Sequence, residues 1–174
     1  MIKRLFFSTV CFIAVSLIFT ACSYKLSLNG SAIPVDLKTI NIQYFENNAP
    51  LVVSTLSQQF TEAVKNRIRT QSNISIVRGE ADAMISGAII GYSIAPVSIQ
   101  ATNANAPPIA GASRLTITVN VKFVYDKDKK LSFEQSFTKY KDFTGDIASQ
   151  EQALILDINK QLTDDIFNKA FNNW

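Results

Sequence analysis

The sequence contains no histidine, and this absence removes whole classes of chemistry. Ser-His-Asp and Cys-His nucleophile systems need an imidazole base, and many zinc sites need imidazole ligands. Carboxylates alone could still catalyse a reaction, but the acidic residues are scattered along the chain. The closest pair, Asp164 and Asp165, lies in a helical pattern, where adjacent charges usually form a solvated face. The sequence therefore predicts a protein that is not an enzyme and that holds no metal ion or other cofactor.

Cysteine is almost as scarce, because the chain has only Cys11 and Cys22. Cys11 lies in an apolar run close to the start, which we expect to be removed from the mature protein. Cys22 would then be the one remaining thiol, and a single cysteine cannot form an internal disulfide. An exported domain of this kind must be held together by its hydrophobic core alone.

The start of the chain has the three parts of a secretory signal peptide. Lys3 and Arg4 give a positive start, residues 5–19 form an apolar run, and small residues lead up to Cys22. The run is shorter than the roughly 20 residues that a membrane-spanning helix needs. We therefore predict that residues 1–21 are a signal peptide that is cleaved.

Cys22 directly after the small residues resembles the lipobox of bacterial lipoproteins. In such proteins the cysteine is acylated, with palmitate among the chains, and becomes the first residue of the mature protein. Phe19 departs from the motif, since lipoboxes prefer leucine or a similar aliphatic residue at that position. We predict a covalent lipid on Cys22; the alternative is an ordinary signal peptide followed by an incidental cysteine.

An excess of positive charge is missing from the predicted mature chain. The full sequence has 17 basic and 14 acidic residues, but Lys3 and Arg4 leave with the signal peptide. The remaining side chains are close to neutral, so the sequence does not predict a nucleic-acid partner.

The mature chain is expected to begin with a tether over residues 22–38, which has turn-favouring residues and little periodicity. A single domain follows over residues 39–174. Residues 39–45 alternate as a half-buried strand with Ile40, Ile42 and Tyr44 on one side. The period then becomes helical, with an apolar stripe at Leu56, Phe60, Val64 and Ile68 and with Ser54 as the N-cap.

Residues 74–77 and 81–99 are predicted as strands, and Gly87 and Gly91 within the second indicate a bulge or a close backbone approach. An uncharged small-residue loop is expected over residues 101–112. Residues 114–126 alternate strongly and pair with residues 131–141 as a hairpin.

A capping box of Ser149 and Gln152 then begins a helix that runs almost to the end, with a wide apolar stripe. The stripe comprises Leu154, Ile155, Ile158, Leu162, Ile166, Phe167, Ala170 and Trp174. The order of elements predicts an α+β fold, a two-layer sandwich with two helices on one face of a four- to five-stranded, antiparallel-rich mixed sheet.

Several segments, taken in order, resemble the Bacteroidota branch of the lipopolysaccharide-assembly lipoprotein family, LptE. They are INIQYF at residues 40–45, NAPL at 48–51, LSQQFTEA at 56–63, RLTITVNVKF at 114–123 and DIFNKA at 165–170. The resemblance implies a lipoprotein on the periplasmic face of the outer membrane of a Gram-negative cell. It would plug the β-barrel lipopolysaccharide translocon, LptD, help that barrel to assemble, and assist insertion of lipopolysaccharide into the outer leaflet.

Lipopolysaccharide carries phosphates, which arginine and lysine bind well. The candidates for such contacts are Arg114, Lys122, Lys127, Lys129 and Lys130. The simpler explanation for each is a solvated residue that protects a sheet edge from aggregation. The uncharged loop at residues 101–112, or the glycine-bearing strand before it, is the candidate for contact with the barrel.

A second function remains open, that of a periplasm-facing outer-membrane lipoprotein that regulates a cell-wall synthase. Such regulators need reach, and residues 23–38 span at most about 55 Å when fully extended. A soluble-ligand carrier is disfavoured because a closed barrel would be expected in place of a helix-covered sheet.

Overall fold

The computed structural model describes residues 33–51, 53–99 and 109–171. The predicted signal peptide, Cys22, most of the tether and of the 101–112 loop, and Trp174 lie outside these ranges. The strands are β1 (Thr39–Ile42), β2 (Glu46–Asn47), β3 (Ser75–Val77), β4 (Ala83–Ile99), β5 (Ile109–Tyr125) and β6 (Phe133–Thr144). The helices are α1 (Leu56–Gln71) and α2 (Glu151–Phe171), and a 3₁₀ turn covers Lys129–Leu131.

The strands form one mixed sheet in the order β3-β1-β4-β5-β6, with β2 also beside β4. β1 pairs in parallel with β3 and β4, as β2 does with β4, whereas β4–β5 and β5–β6 are long antiparallel pairs. The predicted α+β sandwich with two helices is confirmed. The sheet has six strands, more than the four or five expected, because β2 forms at Glu46–Asn47, just after the stretch that was predicted as one strand over residues 39–45.

The prediction of a continuous strand to Phe45 was wrong, and the reason is the packing of two neighbouring residues. A regular strand would turn Tyr44 inward with Ile40 and Ile42, but Tyr44 is 58% exposed and Phe45 is fully buried. The Phe45 ring packs edge-on against Phe60, with centroids 5.0 Å apart, and its N–H donates to Thr61 Oγ1 at 3.1 Å. This contact with α1 ends β1 at Ile42.

Both helices bury the stripes that their periodicity predicts, but they start differently. Leu56, Phe60, Val64 and Ile68 are buried on α1, as are the predicted stripe positions of α2 from Leu154 to Ala170. The N-cap of α1 is Thr55, which makes no side-chain capping bond, so the choice of Ser54 was wrong. The predicted capping box is also absent, because α2 begins at Glu151 and the Ser149 hydroxyl donates to the Asp146 carbonyl at 2.9 Å.

The core lies between the helices and one face of the sheet. Alternate residues of β5, namely Leu115, Ile117, Val119, Val121 and Phe123, are fully buried there, as their alternation predicts. Burial of each such side chain contributes about 1.5–3 kcal/mol relative to exposure. The other face of the sheet carries no helix among the described residues. We call it the open face, and its β5 positions are Arg114, Thr116, Thr118, Asn120, Lys122 and Val124.

β4 and β5 form a long hairpin, and the two glycines of β4, Gly87 and Gly91, have the predicted roles. The register shifts between Ile89 and Gly91, which marks a bulge. At Gly87 an added Cβ would collide with the Asn120 carbonyl oxygen and lie 2.8 Å from the Phe45 ring. The predicted 101–112 loop was too long, because β5 already begins at Ile109. The small residues of this segment show no alternation of large apolar and polar side chains, so the sequence pattern does not reveal the strand. In the structure Ala112 pairs with Val97 of β4.

Candidate functional site

Arg114 is fixed on the open face by its neighbours on β6. It lies opposite Asp142, and its Nε and Nη2 atoms donate to the two carboxylate oxygens at 2.6 and 2.9 Å. The guanidinium carbon lies 3.7 Å from the centre of the Tyr140 ring. Arg114 holds the pKa of the Asp142 carboxyl below its ordinary value, and Asp142 raises the pKa of Arg114. The arginine is thus both oriented and locally neutralised.

The rest of the open face beside Arg114 is rich in hydroxyl and amide groups. Thr118 and Thr138 share a hydrogen bond of 3.0 Å across β5 and β6. The Asn120 amide donates to Glu134 at 3.4 Å, and Lys122 Nζ lies 4.0 Å from the same carboxylate. Lys122 and Glu134 are both more than half exposed, so this ion pair is loose and water-screened.

Lys127, another predicted site residue, is occupied in holding the N-terminal segment to the domain. Its ammonium lies 2.9 Å from Asp82 Oδ1 and donates to the Asp36 carbonyl at 2.9 Å. The other Asp82 oxygen accepts bonds from the backbone N–H groups of Lys38 and Thr39 and from the Thr39 hydroxyl. Lys127 and these donors hold the pKa of Asp82 far below its ordinary value. We call this cluster of Asp36, Lys38, Thr39, Asp82 and Lys127 the clasp.

Lys129 and Lys130 lie on the exposed 3₁₀ turn at the β5–β6 connection. Neither ammonium group has a carboxylate within salt-bridge distance in the part of the chain that the structure describes. They are the two predicted basic residues whose charge is least compensated.

The five basic candidates do not converge on one site. Arg114 stands near one end of β5, whereas Lys127, Lys129 and Lys130 follow its other end at Tyr125. Tyr125 is eleven positions after Arg114 along the strand, which corresponds to a distance of about 35 Å at the usual rise per residue. A single phosphate could therefore not contact both groups, and only Arg114 and Lys122 share the open face.

Sequence reasoning missed two functional candidates among the polar residues. Asp82 lies between β3 and β4, two residues after Glu80, and nothing in its sequence neighbourhood predicts that four groups converge on it. Asn159 lies within the apolar stripe of α2 and is 1% exposed. Its position inside a hydrophobic period was the available signal, since polar residues at core positions are unusual.

Two kinds of feature are absent from residues 33–51, 53–99 and 109–171. No helix there combines the length and the apolar character required to cross a membrane. No three acidic or cysteine side chains in those ranges come together as a metal site.

The family model described as LptE, lipopolysaccharide-assembly, matches residues 37–170 of the chain. That range runs from Leu37, just before β1, to the last turn of α2 and so includes every described helix and strand. None of the curated proteins compared with the chain matches it.

Solved structures with the same fold come from several bacteria. A hypothetical protein from Chlamydia trachomatis is 7% identical with a TM-score of 0.53, covering 76% of this chain and 94% of its own. A protein from Xanthomonas campestris is 11% identical with a TM-score of 0.53, covering 76% and 84%. The rare lipoprotein B from Shewanella oneidensis is 14% identical with a TM-score of 0.47, covering 75% and 92%. At such identities the first two establish the likeness of fold alone.

Proposed function

The chain belongs to the lipopolysaccharide-assembly family LptE, a family of non-enzymatic envelope lipoproteins, and from this we propose that it is the plug of an outer-membrane lipopolysaccharide translocon. In this role it sits inside the LptD β-barrel, helps that barrel to assemble, and assists insertion of lipopolysaccharide into the outer leaflet. The observation that carries the proposal is the family match over residues 37–170, which covers the whole described sandwich.

The shape and charge of the sandwich support a plug. Its charges on the open face are paired, as Arg114 is with Asp142 and Lys122 with Glu134. A domain with paired surface charges and a hydroxyl-rich sheet face can occupy the polar interior of a large barrel. The β4–β5 hairpin is also long, since 17 strand residues span about 55 Å, more than the roughly 30 Å of a bilayer core.

The lipid anchor is proposed at Cys22, on the periplasmic face of the outer membrane. Several acyl chains on one terminus hold a protein at a membrane firmly, whereas a single chain would be marginal. The clasp supports this placement because it fixes where the N-terminal segment enters the sheet, beside Ala83 at the start of β4. The anchored segment therefore leaves the domain at the opposite end of β4 from Ile99.

Contacts with lipopolysaccharide phosphates are proposed for Arg114, Lys122, Lys127, Lys129 and Lys130. The structure ranks them by the cost of making each charge available. Lys129 and Lys130 have no carboxylate partner to give up when they bind a phosphate. Arg114 would have to exchange its bidentate partner Asp142, and Lys127 would have to leave the clasp. We therefore expect Lys129 and Lys130 to bind phosphate most readily. Arg114 should bind a phosphate only where that phosphate replaces Asp142.

Affinity purification of the full-length protein through a C-terminal tag, from detergent-solubilised membranes, tests the proposal. A large β-barrel recovered at equal stoichiometry is the expected result, and an unrelated tagged outer-membrane lipoprotein serves as the control. Recovery of a cell-wall synthase in place of the barrel would support the alternative role as a periplasmic regulator. Recovery of neither partner would overturn the translocon proposal.

A further inference from the structure

A cleft of about 240 Å³ lies between the two helices, on the side away from the sheet. The α1 side includes Gln59, Asn66 and Arg67, and the α2 side includes Leu156 and Asn159. The cleft is separate from the open face and from the clasp.

Asn159 at this cleft is buried without any hydrogen-bond partner. It is 1% exposed, and neither its Oδ1 atom nor its Nδ2 atom is bonded within the described chain. A buried polar group left unpaired is destabilising, so native structures pair nearly all of them. Leucine would fill the same stripe position on α2 without that cost, which makes the amide a group in need of a partner.

The charged side chains that line the cleft are Arg67, Lys160 and Asp164. Arg67 Nε lies 3.1 Å from Asp164 Oδ1, although the N–H does not point along a hydrogen bond, and its guanidinium carbon lies 5.3 Å from the Phe167 ring centre. Gln59 adds a second buried amide oxygen without a partner. Asp164 balances the arginine, so a single lysine, Lys160, is the one cation at the cleft without a carboxylate in salt-bridge distance among the described residues. The buried groups of the cleft that lack a partner include the amides of Gln59 and Asn159.

We propose that this cleft binds a polypeptide segment of the barrel partner through its main-chain peptide groups. A side-chain amide presents a donor and an acceptor next to each other, which matches the C=O and N–H of an extended chain. Leu156, 55% exposed at the cleft, provides an apolar contact for a side chain of that segment. The identity of the partner rests on the proposed function, whereas the peptide chemistry rests on Asn159 and Gln59.

Two other arrangements would use the same groups. The amides of Gln59 and Asn159 could pair with each other after a side-chain rotation, which would make the cleft purely structural. A sugar hydroxyl of lipopolysaccharide could also donate to and accept from Asn159. The experiment below has a separate outcome for each of them.

A photo-reactive amino acid placed at Leu156 of the full-length protein, irradiated in intact cells, tests the inference. The expected product is a covalent adduct with the barrel, mapped by mass spectrometry to one segment. Asn159→Leu, and as a second variant Asn159→Ala, should reduce that adduct at least about fivefold, whereas Gln152→Leu on the exposed side of α2 should not. A ladder of lipopolysaccharide adducts, or an adduct that persists in both Asn159 variants, would overturn the inference.

Thermal unfolding of the purified proteins separates a binding role from a structural one. If Asn159 serves a partner, Asn159→Leu should leave the midpoint unchanged or raise it by up to about 5 °C. If Gln59 and Asn159 pair within the chain, either substitution to leucine should lower it, and that result would overturn the inference. Should the barrel co-purify with the wild-type protein and equally well with Asn159→Leu, the cleft inference fails while the translocon proposal stands.

Discussion

Lys127 and Asp82 form a 2.9 Å ion pair that ties the β5–β6 turn to the residue just before β4. Asp82 at the same time accepts three bonds from Lys38 and Thr39, so one carboxylate joins three parts of the chain. This gives Lys127 a structural task that its place in a charged turn does not suggest. It also means that any contact between Lys127 and a phosphate competes with the clasp.

Asp82→Asn should lower the thermal midpoint by several degrees at neutral pH, because a neutral amide cannot replace the carboxylate toward Lys127 and the two backbone N–H groups. Since folding lowers the pKa of Asp82 below its ordinary 3.8, the stabilisation is complete above that pH and is lost as the pH falls below it. The midpoint difference between wild type and variant should therefore shrink between about pH 4 and pH 2. Glu80→Gln, two residues away and exposed, is the control; a difference that does not change with pH would contradict this account.

Gly87→Ala should destabilise the protein by about 3 kcal/mol or more, because the new methyl group meets the backbone carbonyl of Asn120, which cannot move alone. Gly91→Ala is the matched control. Its methyl group would lie 3.2 Å from the Thr118 Cβ, which can shift slightly, so the cost should stay below about 1 kcal/mol. Urea unfolding of the two variants measures the difference, and equal costs would show that the close approach at Gly87 is not what requires glycine.

Arg114→Gln should weaken binding of the purified protein to lipopolysaccharide by roughly tenfold or more if the guanidinium contacts phosphate. Asp142→Asn should leave binding intact or strengthen it, because it removes the carboxylate that competes for Arg114. Arg69→Gln on α1 is the charge-matched control. Binding measured by fluorescence with labelled lipopolysaccharide decides the question, and equal binding by Arg114→Gln and the control would limit Arg114 to a structural role.

Cys22→Ala should abolish incorporation of a palmitate analogue and shift the protein from the membrane to the soluble fraction. Phe19→Leu restores the preferred lipobox residue, so it should raise the processed fraction or leave it unchanged. Metabolic labelling followed by gel fractionation measures both effects. Label retained in Cys22→Ala would place the lipid elsewhere and remove the basis for the anchor.

The spacing of apolar residues along the sequence predicted the regular strands and helices of the fold. The alternation of Leu115 to Tyr125 predicted the central strand and its buried face, and the stripes of both helices were correct at every position that the structure describes. The pattern failed at Phe45, because burial against Phe60 overrides the strand period, and at Ala112, because small residues carry no period. Tertiary contacts decide such positions, and a single sequence does not contain them.

The candidate site was less predictable than the fold. Sequence reasoning identified Arg114 and Lys127 as exposed cations, but their carboxylate partners lie 28 and 45 residues away in the chain and emerge only from the strand pairing. Asn159 adjoins the predicted apolar stripe of α2, and its burial together with its unpaired amide is a property that only the fold reveals. Charge in a sequence shows where a contact could form, whereas pairing and burial show which charges are available.

The most direct test of the translocon role is the surface delivery of lipopolysaccharide after depletion of this protein in its own cells. Newly made lipopolysaccharide is labelled, and the fraction accessible at the cell surface is measured before and after depletion. The account predicts that this fraction falls sharply and that wild-type protein restores it, while Cys22→Ala restores it poorly. Undiminished surface lipopolysaccharide in cells that have lost the protein would contradict it.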